Sequence, residues 1–238
     1  MKAIILCGGE GTRLRPYTYT IPKAMLPVGG RPILEYIIEH LRESKITDIV
    51  LSVGYLREKI MGHFEDGRKF GVKIDYFIEE EALSTAGAIF PHRKKLNKPF
   101  LVLMGDQITN IDLKKMEEAH KRSGAIATIA AKTIKTPLEY GALEVSASGQ
   151  VSAFREKPVL ENLINTGIYI LEPEALEYIR PKEDFAKDVF PRMLKSGKNI
   201  HAYIMETEFW IDIGRVSDYE RIRALFPTGG IPQLGPAK

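Results

Sequence analysis

The first half of the chain alternates short apolar runs with amphipathic segments, and this alternation restricts the fold more than any other feature. The strand-like runs are residues 2–7, 48–54, 72–78 and 100–106. The helix-like segments are residues 31–44, 56–64 and 113–123. In the first of these, Ile33, Ile37 and Leu41 fall on one helical face. Strands separated by helices predict a parallel sheet with helices on its faces.

The second half loses this regular alternation. Its strand-like segments are residues 125–134, 141–147, 151–157, 166–172, 200–206 and 209–214. The stretch "SASGQ" at 146–150 is typical of a hairpin turn. Helices are expected near 184–196 and 216–226. We therefore predict an α/β fold, a Rossmann-like doubly wound mixed sheet with helices on both faces.

Length and composition limit the organisation of the chain. Its 238 residues suit one domain, which we place at residues 1–226. The segment 227–238 is rich in proline and glycine with little to bury, so we expect it to be disordered.

Charge, hydropathy and cysteine content exclude several classes of protein. A net charge of +3, from 34 basic and 31 acidic residues, is too balanced to indicate a nucleic-acid partner. The longest apolar runs are of strand length, so no membrane partner is expected. The chain shows no signal-peptide pattern, and its single cysteine fits a reducing compartment. We therefore expect a cytoplasmic protein.

The first strand leads directly into the glycine-rich stretch "CGGEGTRLRPYT" at 7–18. Glycines after a strand allow the backbone to approach an anion, and arginine binds phosphate oxygens in a bidentate way. Neither the dinucleotide fingerprint nor the P-loop pattern is satisfied. The stretch is thus either a phosphate-binding loop of another kind or a turn with solvated arginines.

Three further charged residues favour the phosphate-binding interpretation. Lys23 lies between prolines that can hold it near the loop. Asp106 and Asp212 each follow a strand-like run. Two aspartates facing an anion site indicate Mg²⁺, which is bound by one or two carboxylates together with phosphate oxygens. Taken singly, each aspartate could instead cap a turn.

These motifs resemble those of the sugar-1-phosphate nucleotidylyltransferases. "GGEGTRLRPYT", "PKAMLPV", "EEEALSTAGAI", "GD", "FREKP", "NTGIYIL" and "WIDIG" occur in the family's order, up to about Phe226. The resemblance implies that a sugar 1-phosphate attacks the α-phosphorus of an NTP, giving an NDP-sugar and pyrophosphate. It also implies Mg²⁺ as the cofactor.

The resemblance assigns expected roles to individual residues. Arg13, Lys23 and Asp106 would be catalytic, with Arg13 on the departing pyrophosphate and Lys23 near the α-phosphate. Asp106 and Asp212 would hold Mg²⁺. The nucleotide would be bound by Leu6, Gly8, Gly9, Gly11, Thr12, Glu79 and Gly87. The sugar phosphate would be bound by Tyr140, Gly141, Glu156, Lys157 and Asn165.

Three positions depart from the family pattern. Glu79 replaces the glutamine usual in thymidylyl and uridylyl members, with Glu80 and Glu81 as the alternative positions in the alignment. Because a carboxylate accepts two hydrogen bonds and guanine offers N1–H and an N2 amine, this favours GTP. Ser84 replaces a glycine, and its side chain could crowd the base or ribose. Arg215 replaces a threonine, a change for which the sequence suggests no physical reason.

The sequence indicates the sugar of the substrate less clearly than the base of the nucleotide. Mannose 1-phosphate is the leading expectation, and no C-terminal β-helix domain is expected. Alternatives are a glucose-1-phosphate thymidylyl- or uridylyltransferase, a heptose-1-phosphate guanylyltransferase and an N-acetylmuramate-1-phosphate uridylyltransferase. A catalytically silent subunit that binds nucleotide sugar is a further alternative, although it would not need Arg13, Lys23, Asp106 and Asp212 together. The sequence leaves open whether the protein forms a homo-oligomer.

Overall fold

The computed structural model describes residues 1–227. All but the first residue of the predicted disordered tail therefore lies outside the described residues. The strands are β1 (Lys2–Cys7), β2 (Pro27–Val28), β3 (Arg31–Pro32), β4 (Asp48–Val53), β5 (Lys73–Ile78), β6 (Phe100–Met104), β7 (Gln107–Thr109), β8 (Ala127–Pro137), β9 (Ala142–Val145), β10 (Val151–Arg155), β11 (Val159–Leu171), β12 (Ile200–Met205) and β13 (Trp210–Asp212). The α-helices are α1 (Ile33–Glu43), α2 (Arg57–Phe64), α3 (Leu113–Ser123), α4 (Phe190–Lys195) and α5 (Val216–Leu225).

Seven strands form one mixed sheet in the order β12-β8-β11-β6-β1-β4-β5. Only β11 runs against its neighbours, since its pairings with β6 and β8 are antiparallel and the other four pairings are parallel. The carboxyl ends of β1, β4, β5 and β6 therefore meet at one edge. This arrangement confirms the predicted α/β mixed sheet.

Helices cover both faces of the sheet. One face, called here the first face, packs against α1, α2, α3 and α5 through residues such as Leu41, Phe64 and Tyr219. The second face packs against α4 and the π-helical turn Phe185–Val189 before it. Each face has its own buried apolar cluster, so the sheet is a shared middle layer. The helix-like segments predicted from periodicity are all confirmed.

Beyond the core, β8 and β11 continue as a two-stranded ribbon, and the chain between them forms the separate β9–β10 hairpin. We call these four segments together the platform. The predicted hairpin turn at 146–150 is confirmed. The predicted start of the β11 strand at residue 166 is wrong, because the strand begins at Val159. The residues from Val159 to Asn165 pair with β8 but bury little, so no apolar pattern marks them.

Within residues 1–227, no helix is long and apolar enough to cross a membrane. The same residues contain no β-helix.

Candidate active site

A cavity of about 370 Å³ opens at the carboxyl edge of the sheet, and we call it the main cavity. Its walls come from the end of β1, the loop after β5 and the end of β6, which is where an α/β sheet binds its ligands. The lining includes ten of the residues singled out from the sequence: Leu6, Gly8, Gly9, Gly11, Thr12, Arg13, Lys23, Glu79, Ser84 and Asp106.

The glycine-rich loop is shaped by close contacts that a larger residue would break. Gly11 has a φ of +63°, in the left-handed region, and its carbonyl accepts a hydrogen bond of 2.8 Å from the Thr18 hydroxyl. A Cβ on Gly8 would lie 2.3 Å from a Glu79 carboxylate oxygen. A Cβ on Gly9 would meet nothing within 4 Å. A side chain at Gly8 would therefore displace the Glu79 carboxylate, whereas Gly9 leaves backbone open to the cavity.

Glu79 follows β5 and is held in a fixed position beside the loop. The buried Ser52 hydroxyl on β4 donates to a Glu79 carboxylate oxygen at 2.8 Å, and the backbone N–H of Leu83 donates to the same group. Burial raises the pKa of Glu79, while these two hydrogen bonds act to lower it. The carboxylate is thus an oriented hydrogen-bond acceptor in the wall of the main cavity.

Lys23 and Asp106 form an ion pair at the mouth of the main cavity. Their side chains are 16% and 21% exposed, so water screens the pair only partly. Lys23 bonds one carboxylate oxygen, while the other, Oδ1, is buried and has no hydrogen-bond partner among the described residues. A buried oxygen without a partner costs stability unless a ligand binds it.

Asp212 lies next to Asp106 although they are far apart in sequence. Its strand β13 pairs antiparallel with β7, and the following residue, Ile213, donates its N–H to the Asp106 carbonyl at 3.1 Å. Burial, and then the charge of Asp106, raise the pKa of Asp212. Two adjacent carboxylates, one with an unpartnered oxygen, fit Mg²⁺ bound partly by phosphate oxygens. Within residues 1–227, no three His, Cys, Asp or Glu residues group into a complete protein-only metal site.

The loop after β5, residues 80–87, is hydrogen-bonded to the segment before α4. Thr85 donates its hydroxyl to Asp184 at 2.9 Å and accepts the N–H of Phe185. Ser84 lines the cavity with a φ of +62°, the backbone conformation that favours glycine. Gly87 lies behind the lining, where a Cβ would be 2.1 Å from the Leu83 carbonyl oxygen. Its predicted nucleotide contact stays a prediction.

The structure places the five predicted sugar-phosphate residues on the platform, outside the lining of the main cavity. Tyr140 is 80% exposed, and Glu156 and Lys157 are also exposed. Gly141 packs close to Glu156, since a Cβ there would be 3.0 Å from its carboxylate. Asn165 donates to the Tyr169 hydroxyl at 3.0 Å and accepts the N–H of Gly167.

Sequence reasoning missed several residues that shape the site. Ser52 orients Glu79, but a serine within the strand "DIVLSV" has no distinctive signal. Asp184 holds Thr85 across 99 positions of sequence, which leaves no local pattern. Gly214 lines the main cavity and lies within the "WIDIG" motif, so the motif could have pointed to it.

Comparisons with known proteins agree with this geometry. The sequence profile of the nucleotidyl transferase family matches residues 2–227. The chain is 40% identical to a UTP–glucose-1-phosphate uridylyltransferase of Synechocystis sp., over 92% of this chain and 61% of that protein. It is 37% identical to a mannose-1-phosphate guanyltransferase of Kluyveromyces lactis, over 100% of this chain and 68% of that protein.

A solved structure has the same fold over nearly its whole length. HddC from Yersinia pseudotuberculosis, complexed with GMP-PN, superposes with a TM-score of 0.74 at 28% identity, covering 94% of this chain and 99% of that one. The chain therefore belongs to the nucleotidyl transferase family, and within it to the sugar-1-phosphate nucleotidylyltransferases.

Proposed function

We propose that this protein transfers a nucleotidyl group from an NTP to a sugar 1-phosphate, giving an NDP-sugar and pyrophosphate. GTP and mannose 1-phosphate are the proposed pair, and residues 1–226 are the proposed catalytic domain. The observation that carries the reaction type is the Lys23–Asp106 pair at the mouth of the main cavity, beside the glycine-rich loop. We also propose that the protein is cytoplasmic, since its single cysteine, the buried Cys7, fits a reducing compartment.

The chemistry needs no side-chain nucleophile. A phosphate oxygen of the sugar 1-phosphate forms a bond to the α-phosphorus, and the bond from that phosphorus to the bridging oxygen breaks. Pyrophosphate leaves with the electron pair, so no proton has to move. Catalysis then depends on holding two anions in line and stabilising the charge that develops between them.

The residues of the site match these two requirements. Backbone at Gly9, Gly11 and Thr12 faces the triphosphate, and Arg13 and Lys23 supply positive charge. Asp106 and Asp212 would hold Mg²⁺, which supplies charge neutralisation between the two anionic substrates. Exclusion of water by Leu6 and Met104, which also line the cavity, strengthens each of these interactions.

The proposal of GTP rests on Glu79. With Ser52 and Leu83 donating to it, its carboxylate has accepting capacity left for the N1–H and N2 amine of guanine. Uracil and thymine offer one donor on that edge, N3–H, next to carbonyl oxygens that a glutamine amide can bind and a carboxylate repels. The name of the Kluyveromyces lactis relative and the GMP-PN bound to HddC support the same choice.

A second candidate pair is UTP with glucose 1-phosphate. The Synechocystis relative, the more identical of the two proteins compared above, carries that activity in its name. The two pairs differ at the base and at one sugar hydroxyl, and the reaction is the same. A direct assay distinguishes them.

The deciding experiment measures pyrophosphate release with Mg²⁺, crossing GTP, UTP, dTTP, ATP and CTP against a panel of sugar 1-phosphates. The panel contains mannose, glucose, their N-acetylated amines, heptose and N-acetylmuramate. We expect the highest kcat/KM for GTP with mannose 1-phosphate. A UTP or dTTP optimum would overturn the choice of base, and silence from folded protein would favour a non-catalytic subunit.

The base can be tested separately with Glu79→Gln. We expect the ratio of kcat/KM for GTP over UTP to fall by about ten-fold or more, because an amide no longer accepts both guanine donors. Glu80→Gln is the matched control, since Glu80 is exposed and pairs with Arg57 at 3.1 Å. An unchanged ratio in folded Glu79→Gln protein would exclude this role for Glu79.

A further inference from the structure

A second cavity, of about 440 Å³, borders the main cavity and is called here the arginine cavity. The two cavities share Arg13 and Gly214. The charged residues that line the arginine cavity are Arg13, Lys132, Arg215, Arg221, Asp212 and Asp218. Four cations thus face two carboxylates, one of which is the proposed Mg²⁺ ligand Asp212. The cavity is therefore suited to an anion.

The arginines of this cavity are not occupied by other parts of the protein. Within residues 1–227, Arg13, Arg215 and Arg221 form no hydrogen bond or ion pair. Most other arginines of the described chain differ, as with Arg57, which pairs with Glu80, and Arg31, which pairs with Glu35. Unpaired guanidinium groups that converge on one cavity indicate a ligand with several phosphate oxygens.

The arginine cavity lies on the opposite face of the sheet from the predicted sugar contact. Successive residues of a strand point to opposite faces, and Lys132 on β8 shares its face with Ala130, which belongs to the first-face cluster. Asn165 pairs in register with Ala131, so it points to the second face. The carboxyl edge of the sheet, with Lys23 and Asp106, separates the two.

This separation matches the geometry of the proposed reaction. In an in-line displacement, the attacking and leaving oxygens lie on opposite sides of the phosphorus. With the sugar phosphate on the second face, the leaving pyrophosphate points to the first face, where the arginine cavity opens. We propose that the arginine cavity receives this pyrophosphate and that Arg215 and Arg221 bind it together with Arg13. The inference rests on the proposed function.

This assignment also gives a physical role to Arg215, which replaces the threonine of the family pattern. A guanidinium can bind two phosphate oxygens at once, whereas a threonine hydroxyl supplies one neutral hydrogen bond. Arg215 precedes α5 directly, and α5 is fixed by the packing of Tyr219 and Ile222 in the first-face core. Its backbone position is therefore set independently of the ligand.

The test uses the full chain with Mg²⁺ and inorganic pyrophosphate. In the reverse direction, starting from the NDP-sugar, we expect Arg215→Ala and Arg221→Ala each to raise the KM for pyrophosphate about ten-fold, the effect of losing one charged hydrogen bond. The KM for the NDP-sugar should stay within about two-fold. Arg223→Ala is the matched control, since Arg223 lies on α5, outside this cavity, over the Tyr219 ring.

Calorimetric titration with pyrophosphate, in the absence of nucleotide, gives a readout that does not need turnover. We expect binding by the wild-type chain and by Arg223→Ala, and about ten-fold weaker binding by Arg215→Ala. If no substrate pair turns over but this pattern is found, the proposed function fails and the pyrophosphate site stands. Equal binding by all variants, or a raised KM for the NDP-sugar alone, would overturn the inference.

Discussion

The main cavity and the platform differ in how far their side chains are already held in place. At the main cavity, Lys23 is paired with Asp106 and Glu79 is hydrogen-bonded to Ser52. On the platform, Tyr140 is 80% exposed and Phe154 is 64% exposed. The proposed nucleotide end thus has its side chains held in place without a ligand, whereas the proposed sugar end presents most of its predicted contacts to solvent.

This difference has an energetic consequence. Preorganised groups lose little conformational entropy when a ligand binds, while exposed long side chains lose rotamer freedom when they become ordered. We therefore expect mutations at the main cavity to disturb packing and chemistry together. Mutations on the platform should change the KM for the sugar phosphate and leave the fold alone.

The largest effect is expected for Asp106→Asn. It removes the charge that pairs with Lys23 and one of the two proposed Mg²⁺ ligands, so kcat should fall by about 10²–10³-fold. The fold should survive, because the backbone carbonyl of Asp106 still accepts the N–H of Ile213. Turnover and thermal unfolding are measured on the same sample. Asp75→Asn, in an exposed pair with Lys73, is the control. Full activity of the Asp106→Asn variant would show that Asp106 is not a ligand of Mg²⁺.

The next effect tests whether the nucleotide end is as closely packed as the structure shows. Gly8→Ala places a Cβ 2.3 Å from the Glu79 carboxylate, and overpacking of this kind costs about 1–3 kcal/mol. We expect a lower Tm and a KM for the NTP raised by about ten-fold, as the displaced carboxylate no longer reaches the base. Gly9→Ala meets no protein atom within 4 Å and should leave the Tm unchanged, which makes it the control for folding. Equal Tm values of the two variants would contradict this packing.

A smaller and more selective effect is expected on the platform. Lys157→Ala should raise the KM for the sugar 1-phosphate by about ten-fold, since one charged contact to phosphate is lost. The KM for the NTP and the Tm should not change, because Lys157 is exposed. Lys135→Ala is the control, since Lys135 lies on β8 of the same platform and pairs with Glu161 at 2.7 Å. A raised KM for the NTP would place Lys157 in the nucleotide site.

The same contrast explains which elements could be predicted from the sequence. Helix α1 was predicted correctly because burial of Ile33, Ile37 and Leu41 imposes a helical period on the sequence. The start of β11 was predicted wrongly, because its first residues are exposed and owe their strand conformation to pairing with β8. Periodicity records burial, so it is informative in the core and weak on the platform.

The residues of the candidate site also fall into two groups, those that the sequence indicated and those that it did not. Asp106 was proposed for the site because it comes just after a buried strand, whose carboxyl end lies at the ligand-binding edge of the sheet, whereas Glu79 was proposed through its place in the family's motif. The residues that hold them could not be predicted. Ser52 reaches Glu79 across 27 positions, and Thr85 reaches Asp184 across 99, so no local pattern connects the partners. The convergence of Arg215 and Arg221 with Lys132 likewise depends on the fold.

The smallest effect concerns Ser84, in the loop after β5 that lines the main cavity. Its φ of +62° lies in a region that costs a non-glycine residue about 1–2 kcal/mol, and its hydroxyl makes no hydrogen bond with the other described residues. Ser84→Gly removes this strain. The greater freedom of glycine in the unfolded chain lowers the free energy of unfolding by about 0.5–1 kcal/mol, which offsets part of the gain.

The net expectation for Ser84→Gly is a Tm higher by about 1–3 °C, the shift that a gain below 1 kcal/mol gives in a domain of this size. The KM for the NTP should stay equal or fall, since the replaced side chain lines the main cavity. Ser148→Gly, in the exposed β9–β10 turn where φ is not positive, should lower the Tm or leave it unchanged. If Ser84→Gly lowers the Tm while Ser148→Gly does not, then Ser84 is held by contacts that offset its strain. The loop after β5 would then belong with the preorganised nucleotide end more firmly than its backbone conformation indicates.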